Sequence, residues 1–183
     1  MVLLSILRKR KQQEKELRLL ILGLDASGKT TFMKKINGED VDSISPTFGF
    51  NIETLTYKNF TINMWDVGGQ QKLRSYWRNY FERTDGLIWV VDPWDIVRLE
   101  DCRKELFSLL NEEILVGCSV LILINKCDRG EVDEENVKKA LHLDEIKGHH
   151  FETFKTSAKN GDNLLPALDW LCSDIASKVL IVD

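Results

Sequence analysis

The stretch that decides the predicted fold is Leu17-Arg-Leu-Leu-Ile-Leu-Gly-Leu-Asp-Ala-Ser-Gly-Lys-Thr-Thr31. Its apolar first part, Leu17 to Leu22, is typical of a buried strand. The strand leads directly into Gly23-x-x-x-x-Gly28-Lys29-Thr30, which matches the phosphate-binding loop pattern G-x-x-x-x-G-K-[ST] at every fixed position. We therefore expect a strand, a phosphate-binding loop (P-loop) and a helix, in that order.

Each fixed residue of this loop has a chemical task. Gly23 and Gly28 let the backbone bend around a cluster of oxygens, so that consecutive N–H groups point inward. The helix that begins near Lys29 brings its positive end to the same place. The Lys29 ammonium can reach β- and γ-phosphates, and the Thr30 hydroxyl can ligate Mg²⁺. The remaining loop residues are predicted to bind the same polyphosphate: Asp25, Ala26, Ser27 and Thr31.

The composition excludes several classes of protein. The chain has 183 residues, 43% of them hydrophobic and 30% charged, which is typical of one soluble globular domain. A net charge of −4 argues against broad nucleic-acid binding. The four cysteines lack metal-site or redox spacing, and the sequence contains neither an apolar run of membrane-spanning length nor a secretory signal. We therefore expect a cytoplasmic protein with reduced thiols.

Residues 1–16 are predicted to form an N-terminal amphipathic helix, separate from the domain of residues 17–183. Leu3, Leu4 and Leu7 would share one helical face, followed by the basic run 8–11. Three interpretations stay open: a membrane-surface helix, a helix that docks in a partner's groove, or a helix that packs on its own domain. Val2 stands where N-myristoylation needs glycine, so no stable membrane anchor is expected.

Hydrophobic periodicity predicts an alternation of strands and helices along the rest of the chain. Further strands are expected at 50–57, 60–67, 86–92, 119–124 and 151–156, and helices at 29–37, 70–82, 97–113, 134–141 and 163–178. This order predicts the three-layer α/β/α architecture of P-loop NTPases, with a six-stranded, mostly parallel sheet. The 50–67 hairpin would supply one antiparallel edge strand.

Polar stretches follow several predicted strands at their C-terminal ends, where open α/β sheets bind ligands. At the C-terminal end of strand 60–67, Asp66 is suited to hold Mg²⁺, the Gly69 N–H to meet a γ-phosphate, and Gln70 to orient an attacking water. The loop before strand 50–57 carries Thr47, whose hydroxyl could also reach Mg²⁺. In isolation, the Gly68-Gly69-Gln70 segment would be read as a tight turn with a solvated glutamine.

Two later stretches indicate recognition of guanine. In Asn125-Lys126-Cys127-Asp128, the Asp128 carboxylate can accept hydrogen bonds from guanine N1–H and its 2-amino group, a donor pair that adenine lacks. Asn125 is predicted to hold neighbouring loops and touch N7, while the Lys126 stem lies over the base. The tripeptide Ser157-Ala158-Lys159 follows the last strand, where its backbone N–H groups could meet guanine O6.

The ordered set of P-loop, Thr47, D-x-G-G-Q, N-K-x-D and S-A-K resembles a small GTPase across essentially the whole chain. The segments 23–31, 45–51 and 65–70 resemble the ADP-ribosylation factor family in particular. Four more segments resemble one subgroup of ADP-ribosylation-factor-like proteins, namely 37–42, 73–82, 85–92 and 163–171.

The resemblance implies a GTP/GDP switch that requires Mg²⁺, held by Thr30, Thr47 and Asp66. It implies slow GTP hydrolysis by Gln70, Lys29 and Thr47, and residues 41–54 contain no arginine that could assist. Fast hydrolysis would therefore require an activating protein. The resemblance also implies exchange proteins and a monomeric state. It further implies that the 50–67 hairpin slides in register and that the N-terminal helix leaves its groove when GTP binds. Implied effectors are carriers of lipid-modified cargo and a tubulin-folding cofactor, with the centrosome, microtubules or mitochondria as additional locations.

Two other classes of protein fit these motifs less well. A P-loop nucleotide kinase would need a second phosphate site with an arginine-rich lid, and the sequence offers no such cluster. A scaffold that only holds nucleotide would need neither Thr47 nor Gln70.

The chain also departs from the family pattern. Pro93-Trp94 replaces the family's usual Ser-Ala, Cys127 replaces its usual Gln, and the loop after Asp128 is shorter and more acidic. None of these departures is expected to touch a ligand atom, although the loop could alter the choice of partner.

Overall fold

The strands of the predicted sheet all form. A computed structural model describes the backbone of residues 16–180 and the side chains of residues 16–178. The strands are β1 (Glu16–Leu22), β2 (Phe50–Tyr57), β3 (Phe60–Val67), β4 (Gly86–Val91), β5 (Ser119–Ile124) and β6 (Phe151–Lys155). They lie in the order β2-β3-β1-β4-β5-β6, with β2 and β3 antiparallel and the other pairs parallel. The predicted fold class is confirmed.

Within residues 16–180, four α-helices accompany the sheet: α1 (Lys29–Ile36), α2 (Leu99–Leu110), α3 (Glu134–Ala140) and α4 (Leu164–Leu180). The helix predicted at 97–113 is shorter than expected, because short 3₁₀ turns at Ile96–Arg98 and Glu113–Leu115 flank it. The predicted helix 70–82 is a 3₁₀ helix at Gln71–Tyr80. Two side chains of that segment, Arg74 and Trp77, donate hydrogen bonds to the loop before it.

Two hydrophobic layers cover the sheet, one on each face. β4 and β5 are buried along their whole length, as expected for parallel strands covered on both sides. One layer includes Leu20, Leu22, Trp77, Trp89 and Leu106, and the other includes Leu19, Ile21, Phe32, Leu168 and Leu171. The sheet is therefore a rigid platform, and the loops at its C-terminal edge are carried by buried strands.

The predicted N-terminal helix lies outside the described residues, apart from its last residue. Glu16 begins β1, where its carboxylate accepts a 2.6 Å hydrogen bond from the Asn63 amide. β1 therefore begins one residue before the predicted strand, and the helix and the domain boundary stay predictions. Within residues 16–180, no helix combines the length and the apolar character that crossing a membrane requires.

The four cysteines are free thiols. Burial raises the pKa of Cys102 to about 11 and the pKa values of Cys118 and Cys172 to about 12. At neutral pH these three thiols are therefore protonated and chemically quiet.

Candidate nucleotide-binding site

The predicted site stretches meet at the C-terminal edge of the sheet. The P-loop follows β1, the 68–70 loop follows β3, and the 125–128 and 157–159 loops follow β5 and β6. A cleft of about 560 Å³ opens among them. It is lined by Asp25, Ala26, Gly28–Thr31, residues 44–48, Gly68–Gln70 and Lys126. The remaining base-side residues are not among those that line this cleft, so the cleft corresponds to the predicted phosphate half of the site.

The P-loop wraps around the Lys29 side chain. Gly28 adopts a left-handed backbone conformation (φ 101°) at the start of α1, and a Cβ there would lie 2.3 Å from the Asn125 amide nitrogen. Lys29 Nζ donates a 2.8 Å hydrogen bond to the carbonyl of Leu24. Burial lowers the pKa of Lys29 to about 8, although the Asp66 and Asp25 carboxylates act in the opposite direction. A cation held in so little water is poised to bind a phosphate, which would restore its stabilisation.

Three oxygen-bearing side chains from separate segments converge beside Lys29. The Thr30 hydroxyl donates to Asp66 Oδ2 at 2.5 Å and lies 2.8 Å from the Thr47 hydroxyl, which is 3.3 Å from the same carboxylate oxygen. Asp66 is fully buried, and among the described residues its Oδ1 has no hydrogen-bond partner. Hydroxyl and carboxylate oxygens are the donors that Mg²⁺ prefers, so these residues fit that ion.

The 68–70 loop is held against the P-loop. The Gly69 carbonyl accepts hydrogen bonds from the Asp25 N–H at 3.2 Å and from Arg74 Nε at 3.0 Å. A Cβ at Gly69 would lie 2.3 Å from the Gly23 carbonyl oxygen, so only glycine permits this approach. Trp77 Nε1 donates to the Gly68 carbonyl at 2.9 Å. The loop is thus fixed from both sides.

Gln70 lines the cleft at the end of this fixed loop. Its side-chain oxygen is buried, and no described residue donates a hydrogen bond to it. A polar group of this kind is expected to bind water or ligand.

The base-side loops are tied to the P-loop and to one another. Asn125 Nδ2 donates to the Ser27 carbonyl at 2.9 Å, and Lys126 Nζ donates to the Ala26 carbonyl at 2.6 Å. The Ser157 hydroxyl donates to Asp128 Oδ1 at 2.7 Å. Asn125 and Lys126 therefore tie the 125–128 loop to the P-loop, and Asp128 ties it to the 157–159 loop.

One predicted donor is engaged elsewhere. The Ala158 N–H donates to Asn125 Oδ1 at 2.9 Å, so in this conformation it is not available to a guanine O6. Lys159 follows on the exposed side of the same loop. The sequence could not foresee this bond, because its partners lie 33 residues apart.

The segment that follows β4, residues 92–98, is a part of the site that sequence reasoning missed. Arg98 donates to the Asp25 carboxylate at 2.7 Å and to the Asp25 carbonyl at 3.2 Å. Asp92 Oδ2 pairs with Lys126 Nζ at 2.7 Å. The available signal was its position, since it too follows a buried parallel strand at the ligand-binding edge.

The P-loop, the Thr30–Thr47–Asp66 cluster and the N-K-x-D loop on this sheet define the class of small GTPases. The chain belongs to the ADP-ribosylation factor family, which it matches over residues 3–175. The described part of this match, from residue 16 onward, contains every predicted site residue.

Individual relatives agree with this assignment. The chain is 55% identical over 185 residues to ADP-ribosylation factor-like protein 2 of Arabidopsis thaliana, covering 100% of both chains. It is 53% identical over 181 residues to the Drosophila melanogaster protein of the same name, covering 98% of each. The resemblance of the four subgroup segments to ADP-ribosylation factor-like protein 2 is therefore confirmed. The chain also resembles the solved Arl6 BBS3 small GTPase of Trypanosoma brucei with bound nucleotide analogue GppNp. That likeness has a TM-score of 0.82 at 27% identity and covers 88% of this chain and 98% of the other.

Proposed function

We propose that this protein is a guanine-nucleotide switch that binds GTP or GDP with Mg²⁺ and hydrolyses GTP slowly. The observation that carries the proposal is the convergence of Thr30 and Thr47 on Asp66. Thr47 belongs to a loop with exposed residues, whereas Thr30 lies in the first turn of α1 and Asp66 near the buried end of β3. A ligand that draws these oxygens together would therefore fix the conformation of the 44–50 loop, and its loss would release that loop.

Binding would divide between the two halves of the site. The P-loop N–H groups from Gly23 to Thr31, the Lys29 ammonium and the Gly69 N–H would hold the phosphates. Asn125, Lys126 and Asp128, with the 157–159 loop, would hold the guanine. Mg²⁺, when bound, neutralises charge on the phosphates.

Hydrolysis would depend on Gln70, Lys29 and Thr47. Gln70 would orient the attacking water from a loop held by Arg74 and Trp77. Arg74 and Arg98, which both contact the P-loop, are engaged with the carboxylate of Asp25. They are therefore not free to reach a transferring phosphate in this conformation. We propose that rapid hydrolysis requires an activating protein, and nucleotide release an exchange protein.

The output surface would lie on β2 and the loops beside it. Phe48, Phe50 and Ile52 alternate along one short segment and expose 83%, 47% and 44% of their surface, and Tyr76 in the 71–80 helix exposes 58%. Phe50 stacks on Trp65 with ring centroids 5.6 Å apart, so part of this surface is rigid. Effector proteins that recognise the GTP form would bind here. From the family resemblance, we propose carriers of lipid-modified cargo and a tubulin-folding cofactor as effectors of a cytoplasmic monomer.

The test compares nucleotide states of the full chain. Loaded with a non-hydrolysable GTP analogue or with GDP, the protein is used to capture partners from cytosol. We expect partners retained only with the analogue, and a Thr47→Ala variant should lose this difference while still binding GDP. Capture of the same set in both states would contradict the switch and favour a nucleotide-holding scaffold.

A further inference from the structure

The indole of Trp94 contacts both ends of the turn that carries Asp128. Its Nε1–H donates a 3.0 Å hydrogen bond to the Lys126 carbonyl, before the turn. After the turn, Gly130 lies so close that a Cβ there would be 2.9 Å from the indole Cη2. The Arg129 guanidinium lies 5.8 Å from the ring centroid, within the range of a cation–π contact. One side chain therefore brackets the 127–129 turn.

The backbone that Trp94 holds is an unfavourable one. Lys126 has a φ of 60°, a left-handed conformation that residues other than glycine adopt at an energetic cost. Its Nζ is held by the Ala26 carbonyl and by Asp92 Oδ2, and its carbonyl by Trp94. Asp92 Oδ1 also accepts a 3.0 Å hydrogen bond from the backbone N–H of Trp94, so the same carboxylate contacts both Trp94 and Lys126.

The segment that carries Trp94 also contacts the phosphate half of the site. Arg98, four residues further on, bonds to both the carboxylate and the carbonyl of Asp25 in the P-loop. Residues 92–98 thus contact both the P-loop and the base-side loop. Trp94 contacts the backbone of the base-side loop.

We propose that Trp94 is a positioning residue that keeps Lys126 and Asp128 in place for the base and so slows the release of guanine nucleotide. The inference rests on the proposed function. The indole contacts at Lys126 and Gly130 restrain the 125–130 loop, so any displacement of that loop that accompanies release of the base would have to break them. The Ser-Ala that the family resemblance implies at residues 93–94 would have neither the ring nor the indole N–H.

The experiment measures dissociation of fluorescent mant-GDP from the full chain in excess unlabelled GDP. Trp94→Phe keeps a ring against Gly130 but removes the N–H, and should raise the dissociation rate about 2- to 10-fold. Trp94→Ala removes the ring as well and should raise it further. Val116→Ala, outside this segment and at a side chain that is 69% exposed, should leave the rate unchanged.

A second ligand separates positioning from general loosening. The base of mant-IDP lacks the 2-amino group that Asp128 is proposed to bind, so IDP should leave wild-type protein faster than GDP. If Trp94 positions Asp128, the ratio of IDP to GDP dissociation rates should fall towards one in Trp94→Ala. Wild-type rates in both Trp94 variants, or equal acceleration of both ligands, would overturn the inference alone. Failure of the wild-type protein to bind mant-GDP would overturn the proposed function, and this inference with it.

Discussion

The hydroxyls of Thr30 and Thr47 lie 2.8 Å apart, although one belongs to the first turn of α1 and the other to the loop before β2. Both also approach the same oxygen of Asp66, which is buried at the end of β3. This contact joins an exposed loop to the first turn of α1 and to the buried end of β3. A ligand that binds or leaves at this contact can therefore change the conformation of the exposed loop that carries Thr47.

Thr30→Asn should weaken Mg²⁺-dependent GTP binding more than GDP binding, by about tenfold or more for GTP. The larger amide would replace the hydroxyl that contacts Asp66 and Thr47, and the γ-phosphate form depends most on that cluster. Mg²⁺ titrations of mant-GTP and mant-GDP binding give the measurement. Thr30→Ser keeps the hydroxyl and serves as the control, with near wild-type affinity expected. Equal losses for both nucleotides in Thr30→Asn would refute the assigned role.

Gln70→Leu should bind GTP with unchanged affinity and hydrolyse it about 100-fold more slowly. The leucine fills similar space but cannot orient water with an amide. Single-turnover hydrolysis of bound GTP measures the effect. Gln71→Leu is a matched control, because Gln71 is the exposed neighbour that does not line the cleft. If both variants hydrolyse GTP at the wild-type rate, Gln70 has no part in the mechanism.

The low pKa of Lys29 predicts how stability depends on pH in the absence of nucleotide. Burial lowers this pKa from 10.5 to about 8, so between these values the unfolded chain binds a proton that the folded chain does not. The free energy of unfolding should therefore rise with pH across that window, by at most about 1.4 kcal/mol per pH unit. Below pH 8 the Lys29 side chain is protonated in both the folded and the unfolded state, so it adds nothing to this slope. Denaturant unfolding of nucleotide-free Lys29→Met should lack this component of the slope, and an identical slope in both proteins would contradict the assignment.

The same group predicts proton uptake when nucleotide binds. A phosphate beside Lys29 favours the ammonium form, so GDP binding at pH 8.5 should take up part of a proton. Calorimetry in two buffers of different ionisation enthalpy measures this uptake. The uptake should disappear at pH 7, where the side chain is already charged.

Trp77→Ala should lower the free energy of unfolding of the GDP-bound protein by about 3–5 kcal/mol. The indole is 2% exposed, packs edge-on against Trp89 at 5.9 Å, and donates to the Gly68 carbonyl at 2.9 Å. Its loss would leave both a cavity and an unpaired buried carbonyl. Urea unfolding gives the measurement, and a cost below about 1 kcal/mol would contradict this account. Tyr76→Ala, at a neighbouring side chain that is 58% exposed, should change stability by no more than about 0.5 kcal/mol.

The sequence by itself determined the fold class and the identity of the motif residues. The apolar strand that ends at Leu22 and the P-loop after it specify their local structure through backbone chemistry, and the alternation of strands and helices leaves few topologies. Because parallel strands end at one edge, the motifs that follow them had to meet there. This is why Asp66, Asn125 and Asp128 could be assigned before the structure was known.

Only the tertiary structure decided how these motifs are held. Asn125 bonds to Ser27 across 98 residues, and Trp94 bonds to Lys126 across 32, and no local pattern encodes either contact. The 71–80 segment has a helical pattern, yet bonds from Arg74 and Trp77 to Gly69 and Gly68 accompany its 3₁₀ form. Local sequence specifies periodicity and backbone freedom, whereas such contacts depend on which side chains the packed sheet brings within bonding distance. The Ala158 N–H that turns to Asn125 instead of facing outward is a consequence of that packing.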